Sequence, residues 1–141
     1  MKRVELLFIA CLFFPGPFVA LADERSTTEK LQRMTIRLSE YRFEPSQVVL
    51  KTGEEIELTL VNEGTVMHEF ITDALKGLEI DVEINGVVAE TYGVAELEIP
   101  SKAKAVLHFT PVKPGEFSMV CHAKEPKDHF KEGMSGKLVF K

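Results

Sequence analysis

Phe117-Ser-Met-Val-Cys121-His-Ala-Lys-Glu-Pro126-Lys-Asp-His129-Phe-Lys-Glu-Gly133-Met134-Ser-Gly136 reads as a strand, a loop and the entry to a second strand. Side chains alternate across a strand, so Phe117, Met119 and Cys121 share one side and Ser118 and Val120 the other. If the aromatic and the methionine face the interior, Cys121 closes the inward row at the mouth of the loop. Seven residues then separate Cys121 from His129, and four separate His129 from Met134. Gly133 lets the chain turn before Met134, and Gly136 permits entry to the last strand, Gly136-Lys-Leu-Val-Phe-Lys141.

Far upstream, Val66-Met-His68-Glu-Phe70 supplies a second imidazole. The candidate ligand set is therefore His68, Cys121, His129 and Met134: two imidazoles, a thiolate and a thioether. Soft sulfur beside imidazole selects copper, and two imidazoles, one thiolate and a distant thioether are tolerable to both Cu(I) and Cu(II). His122 follows Cys121 directly and points to the other side of an extended strand, which makes it a rim residue, or a replacement for His129 if the long loop folds away. His108 is read as a strand-face histidine, and Met67 and Met119 as ordinary packing. Lys124, Lys127, Lys131 and Lys137, mixed with acidic residues, form a solvated loop that could also serve as a docking rim.

Cysteine usage sharpens this reading. Lys2 and Arg3 precede an apolar run from Val4 to Val19, closing on Ala20-Leu-Ala22 before Asp23, the pattern of a cleaved secretory signal peptide over residues 1–22. Pro15-Gly-Pro17 interrupts the run, and the continuous stretch falls short of the about 20 apolar residues of a spanning helix. Cleavage removes Cys11 and leaves Cys121 alone, so no internal disulfide can form. A solitary thiol sent to an oxidising compartment needs burial or a metal. The competing reading makes Cys11 a lipid-attachment cysteine after Phe8-Ile-Ala10.

The chain has 141 residues and a formal net charge of −5, and loss of Lys2, Arg3 and Glu5 makes it slightly more negative. That excludes the electrostatic footprint of a nucleic-acid binder. Residues 23–33 are polar and are expected to form a flexible lead-in to one domain over 34–141. Within it, Met34, Ile36 and Leu38 alternate with polar residues, and Ile56, Leu58, Leu60 and Asn62 share one parity of a later strand. Phe43-Glu-Pro-Ser46 is expected to turn the chain, Val66 to Thr72 to form the strand that holds His68, and Asn85-Gly86 to close a hairpin. Many short strands between turn residues, with no long amphipathic helix, predict an all-β fold, an antiparallel β-sandwich.

Several of these segments resemble, in order, those of the cupredoxin family of plastocyanin and azurin. Phe43-Glu-Pro-Ser46, Lys51-Thr-Gly-Glu54, Leu58-Thr-Leu-Val-Asn-Glu-Gly64 and His68-Glu-Phe70 resemble the first sheet and upstream ligand. Thr110-Pro-Val-Lys-Pro-Gly-Glu-Phe-Ser-Met-Val-Cys121 resembles the cysteine strand, and His129-Phe-Lys-Glu-Gly-Met-Ser-Gly136 the closing ligand loop. The resemblance implies a Greek-key sandwich over about residues 34–141 and one type 1 copper ion held by His68, Cys121, His129 and Met134, with Met134 as the weak axial ligand. It also implies an exported monomer, periplasmic rather than membrane-spanning, that is not an enzyme and passes single electrons between redox partner proteins. The second reading is a copper-homeostasis protein that sequesters the ion or exchanges it with copper-trafficking proteins. Two features differ from the best-known members. The Cys121–His129 gap is longer, as it is in copper nitrite reductases, and Glu69 stands where those members have an asparagine that braces the ligand loop, so the brace is expected from elsewhere.

Overall fold

The computed structural model describes residues 30–141; the expected signal peptide, Cys11 and most of the lead-in lie outside the described residues. Eleven strands follow in order: β1 (Gln32–Ser39), β2 (Arg42–Glu44), β3 (Gln47–Leu50), β4 (Ile56–Asn62), β5 (His68–Thr72), β6 (Glu79–Ile84), β7 (Val87–Tyr92), β8 (Glu96–Ile99), β9 (Lys104–Phe109), β10 (Gly115–Val120) and β11 (Ser135–Phe140). They form a six-stranded sheet in the order β2-β1-β4-β9-β6-β7 and a five-stranded sheet in the order β3-β11-β10-β5-β8. Consecutive strands pair at β1–β2, β6–β7 and β10–β11. Elsewhere the chain crosses from one sheet to the other, as a Greek-key sandwich requires. Among the described residues no helix is long and apolar enough to cross a membrane.

The expected alternation is realised where one face meets the core. Ile56, Leu58, Leu60 and Asn62 of β4 are all buried, with half-buried residues between them. Ile36 and Leu38 of β1, Leu107 and Phe109 of β9, Phe70 of β5 and Leu138 and Phe140 of β11 meet them between the sheets. Each such aliphatic or aromatic side chain stabilises the fold by roughly 1.5–3 kcal/mol relative to exposure. Asn85 and Gly86 both have positive φ, 52° and 79°, which gives the β6–β7 hairpin the backbone twist of its strands.

Three details differ from the sequence expectation. Most strand pairs are antiparallel, but β1 pairs with β4 and β3 with β11 in parallel, because in each case the intervening chain passes through the other sheet before returning. The parallel ladder also extends β1 back to Gln32, inside the expected lead-in, where Gln32 N donates to Glu55 O at 2.8 Å. Phe43 belongs not to a turn but to β2, paired with Leu38, since its ring is buried against Phe70 at 6.2 Å.

The sheet that carries the ligand loop is tightly closed at Gly136. This residue lies opposite Met119 across β10–β11, and a Cβ there would overlap both the Met119 methyl and the Ser46 carbonyl oxygen. Ser46 O cannot give way freely, because it accepts Lys137 N at 2.8 Å. Gly136→Ala is therefore expected to destabilise the metal-free protein by about 2–3 kcal/mol, the usual cost of overpacking, read as a lower midpoint in urea denaturation.

Candidate metal centre

Strand pairing brings the distant histidine to the cysteine. His68 opens β5, and β5 runs antiparallel to β10 with Ile71 opposite Val120, so the start of β5 meets the residues just past the end of β10. Glu69 N there donates to Cys121 Sγ at 3.2 Å. The long loop is a compact structure. His129 N donates to Ala123 O at 2.9 Å, Met134 N to His129 O at 2.9 Å, and Cys121 N to Met134 O at 3.3 Å. Lys124 Nζ pairs with Asp128 at 2.9 Å, and Asp128 Oδ1 accepts Lys131 N at 3.2 Å; the Lys124 hydrogen bond, followed by that of Lys131, holds the Asp128 carboxyl below its usual range. The residues that lengthen the loop thus form their own turn and leave His129 pointing inward.

The structure brings His68, Cys121 and His129 together. His68 Nδ1 lies 3.0 Å from His129 Nδ1, Cys121 Sγ lies 3.3 Å from His129 Nδ1, and the third side of the triangle is 3.9 Å. The point equidistant from the three atoms is about 2.0 Å from each, near the length of a metal–imidazole bond and shorter than the about 2.3 Å of a metal–thiolate bond. All three side chains are 0% exposed, as is Met134, whose backbone is tied to both Cys121 and His129. His122 is exposed and its ring centroid lies 5.0 Å from that of Phe130, the two rings tilted by 41°; it does not enter the cluster. His108 lies on the outer face of the other sheet, 3.9 Å from Glu55.

Hydrogen bonding selects the ring orientation and tautomer of His129. Its Nε2 lies 2.9 Å from the Glu125 carbonyl, and a carbonyl can only accept, so Nε2 carries the hydrogen and the Nδ1 lone pair faces Cys121 and His68. Two ring nitrogens at 3.0 Å then need either a proton or a metal ion between them. Burial pushes the Cys121 thiol up, against the Glu69 and Ala123 N–H groups that favour thiolate. Burial, then the charge of His129, pushes His68 down. His68 Nε2 is buried without a hydrogen-bond partner. A soft cation among the three donor atoms would replace the thiol proton and compensate the buried thiolate, while His68 Nε2, on the far edge of its ring, stays without a partner.

The surrounding shell contains residues that sequence reasoning missed. The brace expected from elsewhere comes instead from Glu69 itself: its Oε2 accepts His122 N at 2.9 Å, which ties the cysteine end of the loop to β5. Asn62 Nδ2 donates to Val66 O and Ile99 O, each at 2.8 Å, and Gly64 N donates to Asn62 Oδ1 at 2.8 Å. The signal was present, since a polar residue closing the inward row of Ile56, Leu58 and Leu60 must satisfy buried backbone groups. Glu40 had no such signal. Its Oε1 accepts Thr65 N, Thr65 Oγ1 at 2.9 Å and Val66 N at 3.3 Å, and sits 4.0 Å from His68 Nε2. Tyr41 packs edge-on to His129 at 5.1 Å.

Hydrogen bonds from its own backbone N–H and then from Thr65 lower the Glu40 pKa from 4.5 to about 2. A carboxyl depressed in the folded state contributes stability that is fully present above its unfolded pKa and lost as pH falls through the folded one. Between pH 4.5 and about 2, Glu40→Gln is therefore expected to flatten the acid limb of the metal-free protein's stability, measured by urea denaturation at a series of pH values.

Comparison with known proteins follows the same outline. Residues 8–139 match the family model described as a cupredoxin-like domain. The chain is 26% identical over 102 residues to the copper-resistant cuproprotein CopI of Rubrivivax gelatinosus, a match covering 70% of this chain and 59% of that protein. The multicopper oxidase of Campylobacter jejuni, a metallo-oxidase, aligns with a TM-score of 0.57 at 16% identity over 99% of this chain and 34% of its own. Auracyanin of Roseiflexus castenholzii aligns with a TM-score of 0.52 at 16% identity, over 77% of this chain and 96% of its own. At those identities the two structures share the fold alone.

Proposed function

Since the chain belongs to the cupredoxin-like domain family and binds copper, we propose that His68, Cys121, His129 and Met134 hold a single ion and that the protein carries single electrons. The observation that supports this reading most is the convergence of three buried donor atoms with the His129 lone pair already directed inward. Bound copper supplies the one-electron couple. The chain supplies rigidity: backbone hydrogen bonds hold the loop from both ends, Glu69 N–H bonds the sulfur, and complete burial excludes water. Such a preformed site leaves little to rearrange when the charge changes. Export rests on the leader-like residues 1–22, with the periplasm as destination and redox proteins as partners.

A second reading, copper tolerance by sequestration, is favoured by the likeness to CopI, of which this chain spans 59%, and by the burial of both imidazoles, which leaves no ligand edge at the surface. One experiment separates the two. Protein loaded with Cu(II) is reduced and reoxidised in the presence of a Cu(I) chelator. Full return of the visible thiolate–copper band over many cycles supports electron transfer, while progressive loss of Cu(I) to the chelator supports exchange of the metal itself. A loaded protein without any such band would remove the proposed site.

A further inference from the structure

The inner donors are fully buried, so an incoming ion must first meet the surface. Met67 and His122 each stand one residue from a donor, His68 and Cys121, just outside the ends of β5 and β10, and both are exposed. With Glu69, Ala123, Lys124 and Glu125 they line a surface cavity of about 190 Å³, whose one ammonium, Lys124, is paired with Asp128. Met67 is 37% exposed there, which leaves its thioether open to a ligand. The His122 imidazole is exposed as well, and its ring lies against that of Phe130, tilted by 41°.

Glu69 belongs to both the cavity and the inner centre. Its N–H bonds Cys121 Sγ while its carboxylate accepts the His122 backbone N–H at 2.9 Å, so one residue ties the inner sulfur to the chain segment that carries the outer imidazole. The Glu69, Glu96 and Glu98 carboxylates lie within 4.8 Å of one another, which adds a negative field that draws cations toward this face. Charge alone selects no metal. A thioether and an imidazole lining one cavity do, since that pair suits Cu(I) and offers little to hard divalent ions.

We propose that Met67 and His122 form an outer docking site for Cu(I), from which the ion passes to the His68–Cys121–His129 centre. The inference rests on the copper reading above. Copper keeps its oxidation state in the transfer: its bonds to the Met67 sulfur and a His122 nitrogen are exchanged for bonds to Cys121 Sγ and the two inner imidazoles, and the Cys121 thiol proton leaves to solvent.

Two measurements test it. Uptake of Cu(I) from its coloured bicinchoninate complex is followed in wild type, Met67→Leu and His122→Phe, the last chosen to keep a ring against Phe130. Each variant is expected to load about tenfold more slowly and to reach the same final stoichiometry; loading at the wild-type rate would overturn the proposal. In Cys121→Ser protein, which lacks the inner sulfur, Ag(I) is expected to shift the Met67 methyl resonance, and His122→Phe in that background to abolish the shift. A Met67 signal unmoved by Ag(I) would also overturn the outer site. Failure of the inner-site reading looks different, as wild type would then take up no more Cu(I) than Cys121→Ser protein while the Ag(I) shift in the latter persisted.

Discussion

Cys121→Ser is expected to remove the intense visible absorption of the Cu(II)-loaded protein completely. That absorption needs a thiolate bonded to the metal, and Cys121 is the free cysteine of the described residues. A serine hydroxyl remains protonated at neutral pH and is a hard, weak donor, so the site keeps two imidazoles but loses its soft anion. The affinity loss should exceed the about 10- to 100-fold typical of changes in the groups that merely orient ligands. The fold should survive, because serine is smaller and its hydroxyl can accept the Glu69 N–H that now bonds the sulfur at 3.2 Å. Near-wild-type urea denaturation of the metal-free variant checks this. His129→Ala should also lose the band. A band that persisted in Cys121→Ser would assign the colour to some other ligand and remove the basis of the proposed centre.

Gly64→Ala should damage the centre without touching a ligand. Gly64 lies in the turn after β4, and a Cβ there would stand 2.6 Å from His68 Nε2 and 2.8 Å from Glu40 Oε1. Neither neighbour can yield cheaply. Moving the Glu40 carboxylate breaks its hydrogen bonds to Thr65 and Val66, and tilting the His68 ring displaces Nδ1 from the donor triangle. We expect a loss of about 1–3 kcal/mol in the metal-free protein from overpacking and a fall of about 10- to 100-fold in copper affinity, as for other groups that orient metal ligands. The visible band should shift as the His68 bond lengthens. Competition with a chelator of known affinity measures the second effect; unchanged affinity and spectrum would show that the turn relaxes away from His68.

These two substitutions fall on opposite sides of what was legible. Cys121, His129 and Met134 lie within one short stretch, and a solitary cysteine followed by imidazole and thioether already limits the chemistry. The strand rows of β1 and β4 and the Asn85-Gly86 hairpin are equally local, since alternation and positive φ are properties of neighbouring residues. Asn62 was half legible, because its parity gave its burial but not its three backbone partners. The need for glycine at position 64 was not legible. Asn62-Glu-Gly-Thr65 reads as a turn, yet the reason for Gly64 is the close approach of His68 and Glu40, neither of which is its neighbour in the chain.

The same division holds for the whole protein. Local order of residues determined the sandwich class, the strand rows, the candidate ligand types and the soft-metal chemistry, because side-chain alternation and donor identity do not depend on distant contacts. Only the tertiary structure decided that His129 rather than His122 turns inward, that Glu69 itself braces the loop, and that Glu40 lies beside the upstream histidine. Each of these depends on which strand ends meet. That outcome follows from burying two apolar faces at once with every buried backbone group satisfied, a condition no single segment can meet by itself.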